Sequence, residues 1–112
     1  MVEIIVKDIT WKKGETGKQN FEIYDSDSQS RRNGTGKTYK LRIWSDITGE
    51  LISEGNLTAT DQATGKYYYE VQSTDTNEVA DYLGEVLEID TFGQILKSNT
   101  FAVKILATAP DP

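Results

Sequence analysis

The chain contains no cysteine and no histidine, and those two absences close most routes to chemistry. Without cysteine there is no disulfide scaffold, no thiolate ligand for zinc and no thiol nucleophile. Without histidine the usual general base near neutral pH and the commonest metal ligand are missing. Any catalysis would have to use carboxylates, Tyr, Lys or Ser/Thr hydroxyls, so the expectation is a protein that is not an enzyme, with no catalytic residues, no cofactor and no metal. Long apolar runs are also missing; none approaches the roughly 20 residues of a membrane helix. The opening Met1-Val2-Glu3-Ile4-Ile5-Val6-Lys7 has an early acid and only a short apolar stretch, which is not a secretory signal. We therefore expect synthesis in the cytosol, no export address and no membrane partner.

What the chain does have is 112 residues, 37% of them hydrophobic and 27% charged, an ordinary globular composition. Two Trp, six Tyr and three Phe supply the apolar bulk for a single core. The net charge is −6, with a pI near 4.6, so a phosphate backbone would be repelled and nucleic acid is not an expected partner. The charge is uneven. Residues 1–45 hold nine Lys/Arg against six Asp/Glu, whereas residues 46–112 hold three against twelve. Strands from the two halves that interleave would dissolve this polarity.

The dominant period is two, the signature of half-buried strands. Ile4 to Ile9 is β-branched and leads to Trp11, and Lys12 to Gly17 forms a turn with two glycines. Phe21 and Ile23 alternate with Glu22 and Tyr24. Asp25 to Gly36 is polar, has no large apolar residue and reads as a long loop outside the core. Tyr39, Leu41 and Ile43 then fall on one face of a strand, with Lys40, Arg42 and Trp44 on the other. Leu51-Ile52 and Leu57 belong to a further strand or hairpin interrupted at Gly55-Asn56. Asp61 to Gly65 is a turn whose final glycine suits a positive φ. Tyr67, Tyr69 and Val71 face one way and Tyr68 the other. Ser73 to Leu83 is the helical candidate, with Asp75 and Glu78 spaced as a capping box. A closing hairpin has Leu87 and Ile89 inward, a turn at Thr91-Phe92-Gly93, and Phe101, Val103 and Ile105 on its return. The expected fold is all-β, an immunoglobulin-like sandwich of about seven or eight antiparallel strands with at most one short helical turn. It would form one domain over residues 1–107, with 108–112 as a linker or tail.

Three motifs invite chemistry and fail on their contexts. Gly34-Thr35-Gly36-Lys37-Thr38 ends like a phosphate-binding loop, but the leading glycine of that pattern is Arg31 here, and a strand rather than a helix follows. Asp25-Ser26-Asp27-Ser28-Gln29 opens like a calcium loop, yet its required glycine is Ser30 and its bidentate acid is Gly36. Glu85, Glu88 and Asp90 resemble a hydrolase carboxylate set, but nothing sets a second acid opposite them, and a solvated strand face accounts for them.

The aromatic residues carry the clearest functional hint. Trp44 lies beside Lys40 and Arg42, opposite the apolar set of its strand, and Tyr68 points away from Tyr67 and Tyr69. Trp44, Lys40, Arg42 and Tyr68 are the candidate contact surface, because exposed aromatics next to cations suit protein or sugar contacts.

Several segments together carry a resemblance. Lys7-Asp8-Ile9-Thr10-Trp11-Lys12, then Gly14-Glu15-Thr16-Gly17 and Phe21, resembles the start of the immunoglobulin-like N-terminal domain of phage baseplate upper proteins. Ala63-Thr64-Gly65-Lys66-Tyr67-Tyr68-Tyr69 is similar to that family's turn-then-strand segment. Tyr82 to Ile89, Gly93 and Phe101-Ala102-Val103-Lys104-Ile105 are similar to its closing hairpin. The pattern departs at Asp25–Gly36, where the family segment is shorter. The resemblance implies a structural domain of a tailed-phage or prophage particle, assembled in the host cytoplasm into the virion, with other virion or tail proteins, or further copies of itself, as partners. The alternative is a carbohydrate- or cell-wall-binding module on the same fold, with a glycan bound by Trp44, Tyr68 and the Asp25–Gly36 loop.

Overall fold

Tyr39, Leu41 and Ile43 are buried while Lys40, Arg42 and Trp44 stay partly exposed, so the strand they form has a core face and an open face. The computed structural model describes residues 4–25 and 30–107, in which the same alternation organises two packed sheets. The tail expected over 108–112 lies outside the described residues. The strands are β1 (Ile4–Ile5), β2 (Ile9–Lys12), β3 (Gly17–Glu22), β4 (Tyr24–Asp25), β5 (Thr38–Trp44), β6 (Leu51–Asn56), β7 (Thr58–Asp61), β8 (Lys66–Val71), β9 (Ala80–Ile89), β10 (Ile95–Lys97) and β11 (Phe101–Leu106). The larger sheet runs β2-β11-β9-β5-β6 with β10 also on β9, and the smaller runs β3-β8-β7. All strand pairs are antiparallel except β2 with β11, which is parallel. The protein is an immunoglobulin-like β-sandwich.

Broken strands raise the count to eleven among the described residues. β3 and β4 are one strand divided at Ile23, and β10 and β11 together form the return of the closing hairpin. The first strand is divided by a change of sheet: β1 pairs with β4, and β2 then joins β11 in the larger sheet. Asn99 holds the crossing. Its side chain accepts from the Val6 amide at 2.7 Å and donates to the Val6 carbonyl at 3.0 Å, as a neighbouring strand would.

The core joins both inner faces. Tyr39 meets Tyr67 across the sheets at 4.6 Å between ring centroids, and Trp11 stacks on Tyr69 at 6.5 Å. Trp11 is therefore a core residue, with its indole N–H donating to Gln19 at 2.9 Å.

Three expectations need correction. Ser73–Leu83 is not a helix: only Ser73–Asp75 makes a single 3-10 turn, and Ala80 onward is β9. Asp75 does belong to a capping box, but as its third residue, with Gln72 as the cap. On β9, Gly84, Val86 and Glu88 pair with Ile43, Leu41 and Tyr39 and face the core with them, so the strand is turned one residue from the expected facing, although Leu87 on its other face is buried as well. The break after Leu51-Ile52 falls at Leu57, which passes between the sheets, and Gly55 lies within β6 because the Tyr69 ring packs onto it.

Gly65 ends the turn after β7 at φ 68°, where a Cβ would come within 2.7 Å of the Arg32 carbonyl oxygen and 2.8 Å of the Ile23 carbonyl oxygen. Replacing Gly65 by Ala combines left-handed strain with a collision against backbone that cannot rotate away. We expect a loss of about 2 kcal/mol or more in urea unfolding, and a wild-type midpoint would contradict this packing.

Candidate functional site

Between β4 and β5 the described residues 30–37 form a mostly exposed loop, as the sequence reading expects, but the loop does not stand clear of the core, because Gly34 is buried and Arg32 is largely covered. It carries Arg32 over the end of the sandwich, where the Arg32 side chain is 14% exposed and Glu88 of β9 is 5% exposed. Arg32 grips the Glu88 carboxylate with Nε at 2.5 Å and Nη2 at 2.9 Å, a forked contact that matches guanidinium to carboxylate. The Tyr39 hydroxyl donates to Glu88 at 2.6 Å, and Lys37 Nζ lies 3.2 Å away. The third arm of the guanidinium, Nη1, reaches Asp25 at 2.5 Å. Glu88 is thus no solvated strand residue, and Lys37, the lysine of the phosphate-loop look-alike, is spent on it.

Backbone bonds fix the same segment. The Arg32 amide donates to the Ile23 carbonyl and the Gly34 amide to the Gln62 carbonyl, both at 2.8 Å. Gly34 is itself required, since a Cβ there would fall on the Tyr67 hydroxyl. That hydroxyl is buried and has no hydrogen-bond partner among the described residues. Residues 26–29, the middle of the calcium-like motif, lie outside the described residues. Among the described residues no group of three or more acidic residues is placed to hold a metal ion.

Burial by itself would push the Glu88 carboxyl up, but the bonds from Arg32, Tyr39 and Lys37 outweigh it and hold the group below the usual carboxylate range. Burial, then the Glu88 hydrogen bond, raises Tyr39. The second buried carboxylate, Asp75, accepts from Ser53 at 2.5 Å and from the Tyr69 hydroxyl and the Gln72 amide, both at 2.8 Å. Both acids accept several hydrogen bonds from within the fold.

The outer face of the larger sheet gathers half-exposed apolar side chains beside charges that pair with one another. Strand register sets them in rows. Leu51, Trp44, Leu83 and Ala102 make one apolar row across β6, β5, β9 and β11. Glu54, Arg42 and Glu85 make the next, and Asn56, Lys40, Leu87 and Lys97 the third. Arg42 and Lys40 both approach Glu54, at 3.2 and 3.1 Å. An open depression of about 190 Å³ lies among Arg42, Trp44, Leu51 and Glu85. Leu51 is 45% exposed, and Ile47, in the adjoining turn, is 95% exposed.

Three of the four candidate contact residues therefore share a face, and the fourth does not. Tyr68 is on β8, on the outer side of the smaller sheet, under the Lys18 ammonium at 4.6 Å. The Asp25–Gly36 loop meets β5 at Thr38, the opposite end from Trp44. The elements named for a glycan site thus lie at three separate places. Reading β5 alone missed Leu83, Glu85 and Leu51, which join Trp44 and Arg42 only through register.

No protein-family model matches the sequence, and no curated protein matches it. Among solved structures the fold is similar to the N-terminal domain of ORF48 of phage TP901-1, with a TM-score of 0.69 and 12% identity, covering 88% of this chain and 84% of that one. It is also similar to the fibronectin(III)-like modules of Clostridium thermocellum CbhA, with a TM-score of 0.45 and 17% identity over 98% of this chain and 100% of that one. Murine CRIg gives a TM-score of 0.46 and 9% identity over 97% of this chain and 99% of that one.

Because the folded pKa of Glu88 lies below its unfolded value, its stabilisation is present above the ordinary glutamate range and is lost as pH falls through the folded value. Glu88→Gln is expected to lose about 2–3 kcal/mol at neutral pH, since the largely covered Arg32 loses its forked carboxylate partner and keeps only Asp25. Its unfolding free energy should then fall less steeply than wild type below pH 4.5, the ordinary value of the group. Parallel curves from denaturant titrations at several pH values would contradict the assignment.

Proposed function

We propose that this domain is a non-enzymatic assembly module of a phage tail or baseplate, attaching protein to protein within the virion. The observation that carries the reading is the fold likeness to the ORF48 N-terminal domain of phage TP901-1, at a TM-score of 0.69 over most of both chains. The side-chain chemistry supports it. The buried carboxylates Asp75 and Glu88 are consumed in structural bonds, whereas Trp44, Lys40 and Arg42 stand with Leu83 and Leu51 on one sheet face. An aromatic anchor ringed by paired charges is the composition of a protein contact. No helix among the described residues is long and apolar enough to cross a membrane.

The test is capture of the purified tail proteins encoded beside this one, with binding measured by calorimetry. Trp44→Ala should weaken capture roughly tenfold or more, as loss of a central aromatic anchor does, and leave thermal unfolding unchanged. Tyr68→Ala, on the other sheet, should bind as wild type. Failure to bind any such protein, together with saturable binding to host cell walls that free sugar displaces, would replace this reading with the glycan-binding one.

A further inference from the structure

We infer that the occupant of the Trp44 face is a second copy of this chain, packed face to face about a two-fold axis that runs along the strands between β5 and β9. The inference rests on the reading of this face as an attachment surface and names what it attaches.

The face is complementary to itself. β5 and β9 are central and adjacent, and their outward residues alternate in matched rows, with Trp44 beside Leu83 and Arg42 beside Glu85. A two-fold axis lying between these strands, in the plane of the interface, exchanges β5 of one copy with β9 of the other and keeps the rows level. Trp44 then covers the partner copy's Leu83, and Arg42 meets the partner copy's Glu85, each contact made twice, as an isologous interface requires. Aligned sheets pack with their strands nearly parallel, so rows close to the axis stay in step despite the twist. The alternative axis, running across the strands through the Trp44–Leu83 row, would bring Glu85 against the other copy's Asp81 and is disfavoured by like charge.

The exposed apolar groups give a second indication. Leu51, beside Arg42, is 45% exposed and Ile47, in the adjoining turn, is 95% exposed, a surface that gains from being covered. In a protein of net charge −6, chance association of copies is opposed by repulsion, so a specific arrangement of opposite charges is needed to bring them together.

The test uses two charge reversals, Arg42→Glu and Glu85→Arg, in the full chain and followed by sedimentation velocity. Wild type should dimerise. Each variant alone sets like charges against each other twice and should lower the dimer association constant by at least about a hundredfold. Mixing the two variants restores both contacts across the interface. The introduced glutamate of one meets the introduced arginine of the other, and the native Glu85 of the first meets the native Arg42 of the second, so the mixture should form a heterodimer. Thermal unfolding of each variant alone checks that both are folded, so that the outcome of mixing reads the contact between copies and not the fold. A wild-type protein that stays monomeric at the highest soluble concentration overturns the inference, as does a mixture that stays monomeric. Capture of a tail protein through Trp44 by such a monomer would leave the assembly reading standing while removing the second copy from it. Loss of both would remove both.

Discussion

A carboxylate buried in a protein interior is favourable only when its charge is met on every side, and Glu88 is met by Arg32, Tyr39 and Lys37. The rest of the sandwich depends on this arrangement because of where the partners come from. Glu88 is on β9 and Tyr39 on β5, whereas Arg32 belongs to the segment that carries the chain from one sheet to the other. That segment has no large apolar side chain with which to dock. It is held instead by a forked ion pair across 56 residues of sequence, and its guanidinium also returns to Asp25, where the segment begins. One charged group thereby closes the end of the core over Tyr39 and Tyr67.

The same device recurs elsewhere in the molecule. Asp75 gathers Ser53 of β6, Tyr69 of β8 and the Gln72 amide, binding both sheets to the turn that precedes β9. Thr76 is fully buried and donates to the Glu15 carbonyl at 2.8 Å, tying that turn to the one after β2. Asn99 stands in for a missing strand where the first strand changes sheets. With 37% hydrophobic residues the chain fills one thin core and closes its ends with satisfied polar groups. Lys37 and Glu88, at which sequence motifs suggested chemistry, are both part of that closure.

Much of this was legible along single strands. The alternation of Tyr39, Leu41 and Ile43, of Tyr67, Tyr69 and Val71, and of Phe101, Val103 and Ile105 gives the buried faces directly, and the glycines at 14, 17, 65 and 93 mark turns where φ is positive. β9 was harder. A strand with Leu83 and Leu87 on one face and Gly84 and Glu88 on the other points the wrong way by hydrophobicity, because the glycine makes room for Phe101 and the glutamate has a cation waiting for it. Neither reason is local. The helix expected over Ser73–Leu83 failed similarly: its first turn forms, but the β9 ladder with β5 and β11 claims the remainder. At the candidate site, Trp44, Lys40 and Arg42 could be read from one alternating strand. Their meeting with Leu83, Glu85 and Leu51, and the separation of Tyr68 from all of them, are matters of register and sheet assignment that no single strand encodes.

Residues 30–37 are therefore a fixed part of the sandwich, held by Glu88, and the Trp44 face is a surface presented by a closed and rigid core. Amide hydrogen exchange of Arg32 and Gly34, followed by NMR, tests this most directly. Their N–H groups donate to Ile23 and Gln62 at 2.8 Å, so in the wild-type protein they should exchange as slowly as the amides of Leu41 and Val86. In Glu88→Gln the two should accelerate together while the strand amides stay protected. Rapid exchange of Arg32 and Gly34 in the wild-type protein would contradict this picture, since the segment would then be a surface loop and Glu88 would hold nothing in place.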